Sequence, residues 1–192
     1  EASVGASSAK NFLFPSRLKL FSLAAVAEAF EVRAGPPAPP KYAFLGIRSC
    51  DLAAIAVQDR VFGVGQAGPC ESDNYYRQAR EQALLIAANC TRPGGTCFCA
   101  SWGTGPRANA PFDLALTEFK RGFIVTVGSE RGRELLARLP AREPSPAELE
   151  LEELKLRFAA EHMGRQLQVQ GVKDNLDRAI EHPHWDKVAD RC

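Results

Sequence analysis

Residues 42–55, YAFLGIRSCDLAAI, decide the fold. Residues 42–47 form a short apolar run with the length and composition of a buried strand. Cys50 follows almost at once, and Asp51 stands where it would cap a helix over residues 52–61. Leu52, Ile55, Ala56 and Asp59 mark the turns of that helix. The same order then returns. Ser72 or Asp73 caps a helix over residues 74–82, LLIAA at 84–88 is a second buried strand, and Cys90 sits just past its end. Strand, cysteine, helix, helix, strand, cysteine is the rhythm of an α/β domain. It predicts a mostly parallel or mixed sheet flanked by helices. Ligands of such sheets gather beyond the carboxyl ends of the strands. Cys50 and Cys90 are therefore expected at one edge, although 39 residues lie between them.

Working outward, residues 1–10 are small and polar and read as a frayed start. NFLFP at 11–15 reads as extended. Residues 15–32 predict a helix, with Leu18, Phe21, Ala25 and Ala29 roughly on one face. GPPAPP at 35–40 is a rigid connector. Beyond Cys90, residues 91–105 (TRPGGTCFCASWGTG) form a loop with four glycines. Strands are expected over 113–119 and 122–127, and a helix over 130–139. Ser145, Pro146 and Glu148 spell a capping box that opens a helix to about residue 168. A last helix spans 172–182 and stops at Pro183. Residues 1–140 are thus expected to form the α/β domain, and 141–192 a helical C-terminal extension.

The chain has 192 residues, 45% apolar and 24% charged, so a sizeable core can form. Net charge is +1, from 24 basic and 23 acidic residues. No strong field of either sign is available to draw in nucleic acid or an anionic membrane, and neither is expected as a partner. No apolar run approaches the roughly 18–20 residues of a membrane span. The chain opens on Glu1 and is read as a fragment or a processed product. Three of its six cysteines fall within ten residues. That clustering points to metal or redox chemistry in a reducing compartment, here the cytoplasm, rather than to disulfide staples.

Cys50, Cys90, Cys97 and Cys99 are the candidate site. Four thiolates suit an iron–sulfur cluster, and structural zinc also takes four. Two bland readings stay open: buried, inert cysteines, or a redox disulfide. The C-x2-4-C pairs usual in zinc fingers are absent, as is a thioredoxin-like C-x-x-C. Gly94 and Gly95 allow tight bends and leave amides open toward a sulfur-rich ion, while Phe98 and Trp102 are placed to exclude water. Cys70, in a Gly/Pro loop, is left out of the site. His162, His182 and His184 read as exposed histidines rather than metal ligands, and Tyr75 and Tyr76 as packing. No acid/base pair or nucleophilic triad stands out, so no catalytic residue is expected.

Five segments in this order carry a family resemblance: FLGIRSCDLAAI (44–55), DNYYRQARE (73–81), ANCTRPGGTCFCASWGTGP (88–106), FDLALTE (112–118) and EHPHWDKVADRC (181–192). Together they resemble the β-subunit family of cytoplasmic sulfhydrogenases, related to the A subunit of anaerobic sulfite reductase. NFLFP fits that family too. The resemblance implies an electron-transfer subunit of an oxidoreductase complex. Its partners would be a flavin- and NAD(P)-binding subunit and a catalytic subunit, such as a nickel–iron hydrogenase or a sulfite or sulfur reductase. Cys50, Cys90, Cys97 and Cys99 match the family's upstream cysteines, and they are expected to hold one [4Fe–4S] cluster. Family members continue past the position of Cys192 into ferredoxin-type C-x2-C-x2-C-x3-C-P runs. Cys192 would then be the first ligand of a second cluster in the longer protein. The competing reading is a zinc-stabilised or metal-free structural or assembly module.

Overall fold

The computed structural model describes residues 8–26, 29–33, 38–64, 73–109 and 111–191. Cys70, Cys192, the Ser72 alternative cap and part of the 35–40 connector lie outside the described residues.

The opening segment departs from expectation. NFLFP is not extended: α1 (Lys10–Leu13) is a single turn that drops Leu13, fully buried, into the core. Residues 15–32 are not a helix either. They carry an antiparallel pair, β1 (Ser22–Val26) and β2 (Ala29–Arg33), with Val26 opposite Ala29 and Ser22 opposite Arg33. Helix propensity is a weak prior of a few tenths of a kcal/mol per residue. Leu23, Val26, Phe30 and Val32 all remain exposed, so no buried stripe enforces the 3.6-residue period. The β-branched and aromatic side chains take the ladder instead.

The central sheet has the order β3 (Ala43–Arg48), β4 (Leu84–Ala88), β5 (Leu114–Phe119), β6 (Gly122–Val127). The first three strands are parallel and β6 is antiparallel to β5, so the sheet is mixed. Gly46, at φ +87, sits where the β3–β4 register shifts between Leu45 and Ile47.

Helix α2 (Ser49–Val61) leaves β3 directly. Asp51 does not cap it. Extended Arg48 occupies that place without a side-chain capping bond, and Asp51 accepts a hydrogen bond from Ser8 Oγ at 3.0 Å. Asp73 does cap α3 (Asn74–Gln82), accepting from the Tyr76 amide at 2.7 Å. Leu52 and Ile55 of α2 and Tyr76 and Ala79 of α3 are buried with Ile47, Leu85, Ala87 and Ala115 of the sheet. The Tyr76 hydroxyl, as packing residue, donates to Asp59 at 2.7 Å, which also pairs with Arg80 at 3.1 Å.

Ser129 caps α4 (Glu130–Leu136). The capping box at Ser145 and Glu148 is complete and starts α5 (Pro146–Glu161). Buried Glu152, Leu156 and Ala159 form the inner face of α5. Lys155 donates to the carbonyl of Glu118 at 3.0 Å and lies over the Phe119 ring. The helix stops at Glu161, short of residue 168, because the chain after it turns across the cysteine loop. What reads as one final helix is α6 (Val172–Arg178), with α7 (His184–Ala189) after Pro183. The chain is α/β, a mixed four-stranded sheet flanked by helices with a helical C-terminal part. No described helix is long and apolar enough to cross a membrane.

Candidate functional site

β3 ends at Arg48 and β4 at Ala88, so parallel pairing carries Cys50 and Cys90 to the same carboxyl edge. The return loop brings Cys97 and Cys99 to that edge. Cys90 begins the loop and donates its amide to the carbonyl of Pro106 at 3.1 Å, closing the loop at its base. Within it the Gly94 amide donates to Cys97 Sγ at 3.2 Å, and the Cys97 amide returns to the Gly94 carbonyl at 3.1 Å. A short 3-10 turn, Cys99–Trp102, then orients Cys99 and ends at left-handed Gly103. Phe98 and Trp102 are 43% and 50% exposed, so they do not shield the thiols as expected.

All four cysteines are free thiols, with no disulfide between them. Cys50, Cys90 and Cys97 all belong to the electrostatic surroundings of Cys99. Burial pushes the Cys99 thiol up to about 11, with Cys50, Cys90 and Cys97 adding to the rise. Burial also raises Cys90, helped by Cys97 and opposed by the Arg48 guanidinium, which hydrogen-bonds to it. Cys50 is surface-exposed as a residue, yet enough protein surrounds its sulfur that burial is the first cause of its raised pKa, with Asp51 and Cys90 behind. The thiol form is therefore favoured wherever no cation balances the charge. Among the described residues no group of three or more His, Cys, Asp or Glu side chains converges as the ligands of a metal ion do. The four cysteines share this edge without meeting as the ligands of one metal ion.

Three features bear on whether an iron–sulfur cluster suits this edge. The donor set is soft sulfur, which such clusters take. Glycine borders it: a Cβ at Gly105 would overlap Ser49 Oγ and lie 2.8 Å from Cys99 Sγ, and one at Gly94 would lie 3.6 Å from Cys97 Sγ. Finally, Ser49 Oγ is buried with no hydrogen-bond partner, a polar atom awaiting an acceptor. In donor chemistry the residues fit such a cluster.

The chain after α5 crosses this loop. Met163 Sδ stands 3.6 Å from Cys99 Sγ. The Arg165 amide donates to the Cys97 carbonyl, and the Leu167 amide to Ser101 Oγ, both at 3.0 Å. Gly164 lies so close to Gly95 that a Cβ there would overlap the Gly95 carbonyl. Sequence reasoning missed Ser49, Gly105, Met163 and Gly164. Ser49 was open to notice as the neighbour of Cys50; the other three depend on contacts across long sequence separations.

The remaining candidates have structural settings. His162 stacks on Phe158 and bonds its carbonyl, while His182 and His184 lie exposed at a turn. Asp113 is a staple between β4 and α4, described below. Behind the cysteine edge, Asn89 donates to Thr117 at 2.8 Å and accepts from the Ala108 amide at 2.8 Å. Thr117 passes the chain of bonds to buried Glu152 of α5.

A mixed-sheet α/β chain with four free thiols at its carboxyl edge is thus the class that fold and site define. Among known proteins it is similar to Sulfhydrogenase 2 subunit beta of Pyrococcus furiosus, 30% identical over 154 residues, covering 79% of this chain and 44% of the relative. That similarity supports the hydrogenase beta-subunit family for this chain. The chain spans less than half the length of that relative. No family model and no solved structure matches it.

Proposed function

We propose that the chain is an electron-transfer part of a hydrogenase-type complex, and that Cys50, Cys90, Cys97 and Cys99 hold one [4Fe–4S] cluster. The convergence of the four thiols on one sheet edge carries the reading. When bound, such a cluster supplies one-electron transfer. Cys50, Cys90, Cys97 and Cys99 would hold it, with the Gly94 amide directed toward Cys97 Sγ. None needs to act as acid or base, which agrees with a site that offers thiols and no catalytic pair. The partners are a flavin- or NAD(P)-binding subunit on one side and a hydrogenase or reductase subunit on the other, in the cytoplasm. Residues 1–140 form the cluster-binding unit and 141–192 the extension. In the longer protein Cys192 is the first ligand of a second cluster.

Anaerobic preparation is expected to yield about four irons and four sulfides per chain and a reducible paramagnetic signal. Cys97→Ser removes that signal. Iron-free protein carrying zinc, or protein that loses stability but no spectrum on Cys97→Ser, sinks the proposal in favour of a zinc-stabilised or metal-free assembly module. The absence of a converged metal-ion shell among the described residues is what favours the metal-free form of that second reading.

A further inference from the structure

We infer that Ser49 is a positioning residue that donates a hydrogen bond to sulfur at this site and raises its reduction potential. The inference rests on the cluster reading above. Ser49 is the first residue of α2, adjacent to Cys50 and only 2% exposed. Its Oγ is buried without a partner, although buried hydroxyls in native proteins nearly always find one. Gly105 explains where that oxygen faces. A Cβ on Gly105 would overlap Ser49 Oγ and crowd Cys99 Sγ at 2.8 Å, so hydroxyl and sulfur both lie against the bare Cα of Gly105. No acceptor, sulfur included, stands within hydrogen-bond reach of that oxygen. Sulfur carrying negative charge is a better acceptor. The serine is thus unpaired in the cluster-free chain and paired in the loaded one. A donor to sulfur favours the more negative, reduced state, one of the ways proteins set such potentials. No proton or atom is transferred; only the balance between two charge states moves.

The test reconstitutes the whole chain anaerobically with iron and sulfide and follows a potentiometric titration by paramagnetic resonance. Ser49→Ala is expected to keep its iron and to shift the midpoint to more negative values. At a fixed potential the reduced-to-oxidised ratio falls by at most about tenfold, about 59 mV for one electron. In urea, cluster-free Ser49→Ala is expected to be no less stable than the parent, since it loses an unpaired hydroxyl. If Ser49→Ala takes up no iron, Ser49→Gly serves instead: it also removes the hydroxyl and adds no bulk beside Cys99, and the midpoint is expected to move the same way. Iron-loaded variants with the parent's midpoint overturn this inference and leave the cluster reading standing. A parent chain that takes up no iron overturns the cluster reading, and this inference with it. A cluster-free Ser49→Ala that is destabilised, with an unmoved midpoint, makes the hydroxyl structural and also overturns the inference.

Discussion

The two ends of the four-stranded sheet treat polar groups in opposite ways. At the amino end Asp113 has every oxygen occupied. It accepts from the Leu85 amide at 2.7 Å, from Ser129 Oγ at 2.5 Å and from Arg131 at 2.9 Å. Arg131 reaches on to the carbonyl of Ala83. At the carboxyl end four free thiols lie near one another without a disulfide, and Ser49 Oγ has no partner. Satisfied polar groups hold a fold, whereas unsatisfied ones cost stability and persist where something else uses them. The contrast separates the end that builds the sheet from the end that serves it.

The sharpest way to break the contrast is Asp113→Ala. It strands an amide, a hydroxyl and a guanidinium, and is expected to cost about 3 kcal/mol in urea denaturation. Burial pushes the Asp113 carboxyl up, but Arg131, Ser129 and the Leu85 amide outweigh it and hold its pKa below the usual range. A group depressed on folding stabilises the protein above its unfolded pKa, and that contribution is lost as pH falls through the folded value. The parent should therefore lose stability on acidification below about pH 4, and Asp113→Ala should show a flatter profile over the same range. Asn89→Ala comes next, at about 2 kcal/mol, because it strands the Ala108 amide and removes the donor to the Thr117 hydroxyl just before Cys90. The same variant should loosen the base of the cysteine loop, seen as faster amide exchange there. Ser145→Ala removes a cap remote from either end and should cost about 1 kcal/mol, with thiol reactivity unchanged. Comparable to it in stability, at about 1 kcal/mol, is Gly164→Ala. Its methyl meets the Gly95 carbonyl and lifts the crossing segment, so Cys97 and Cys99 should be alkylated faster. Unchanged alkylation would show that the segment does not cover them.

Local signals were the legible ones. The capping box at Ser145 and Glu148 needs only neighbouring residues, and it stands as read. Leu84–Ala88 and Gly122–Val127 match because short apolar runs between turn signals leave few alternatives. Residues 15–32 failed for the opposite reason. Their apolar side chains stay exposed, so their spacing reported no buried face. Asp51 resembled a cap by type, but the strand runs straight into the helix two residues earlier and the carboxylate turns to Ser8. The cysteine edge was legible because parallel strands bring their ends together. The crossing segment was not: Met163 meets Cys99 across 64 residues, and no local period records such a contact.

That separation also sets an order in time. Translation adds roughly 5–20 residues per second. The 64 residues from Cys99 to Met163 therefore take roughly 3–13 s to synthesise. Throughout that interval all four thiols have been made and the segment that crosses them has not. The nascent chain passes through an open form of the site before the finished one, and whatever is loaded there has those seconds in which to arrive unobstructed.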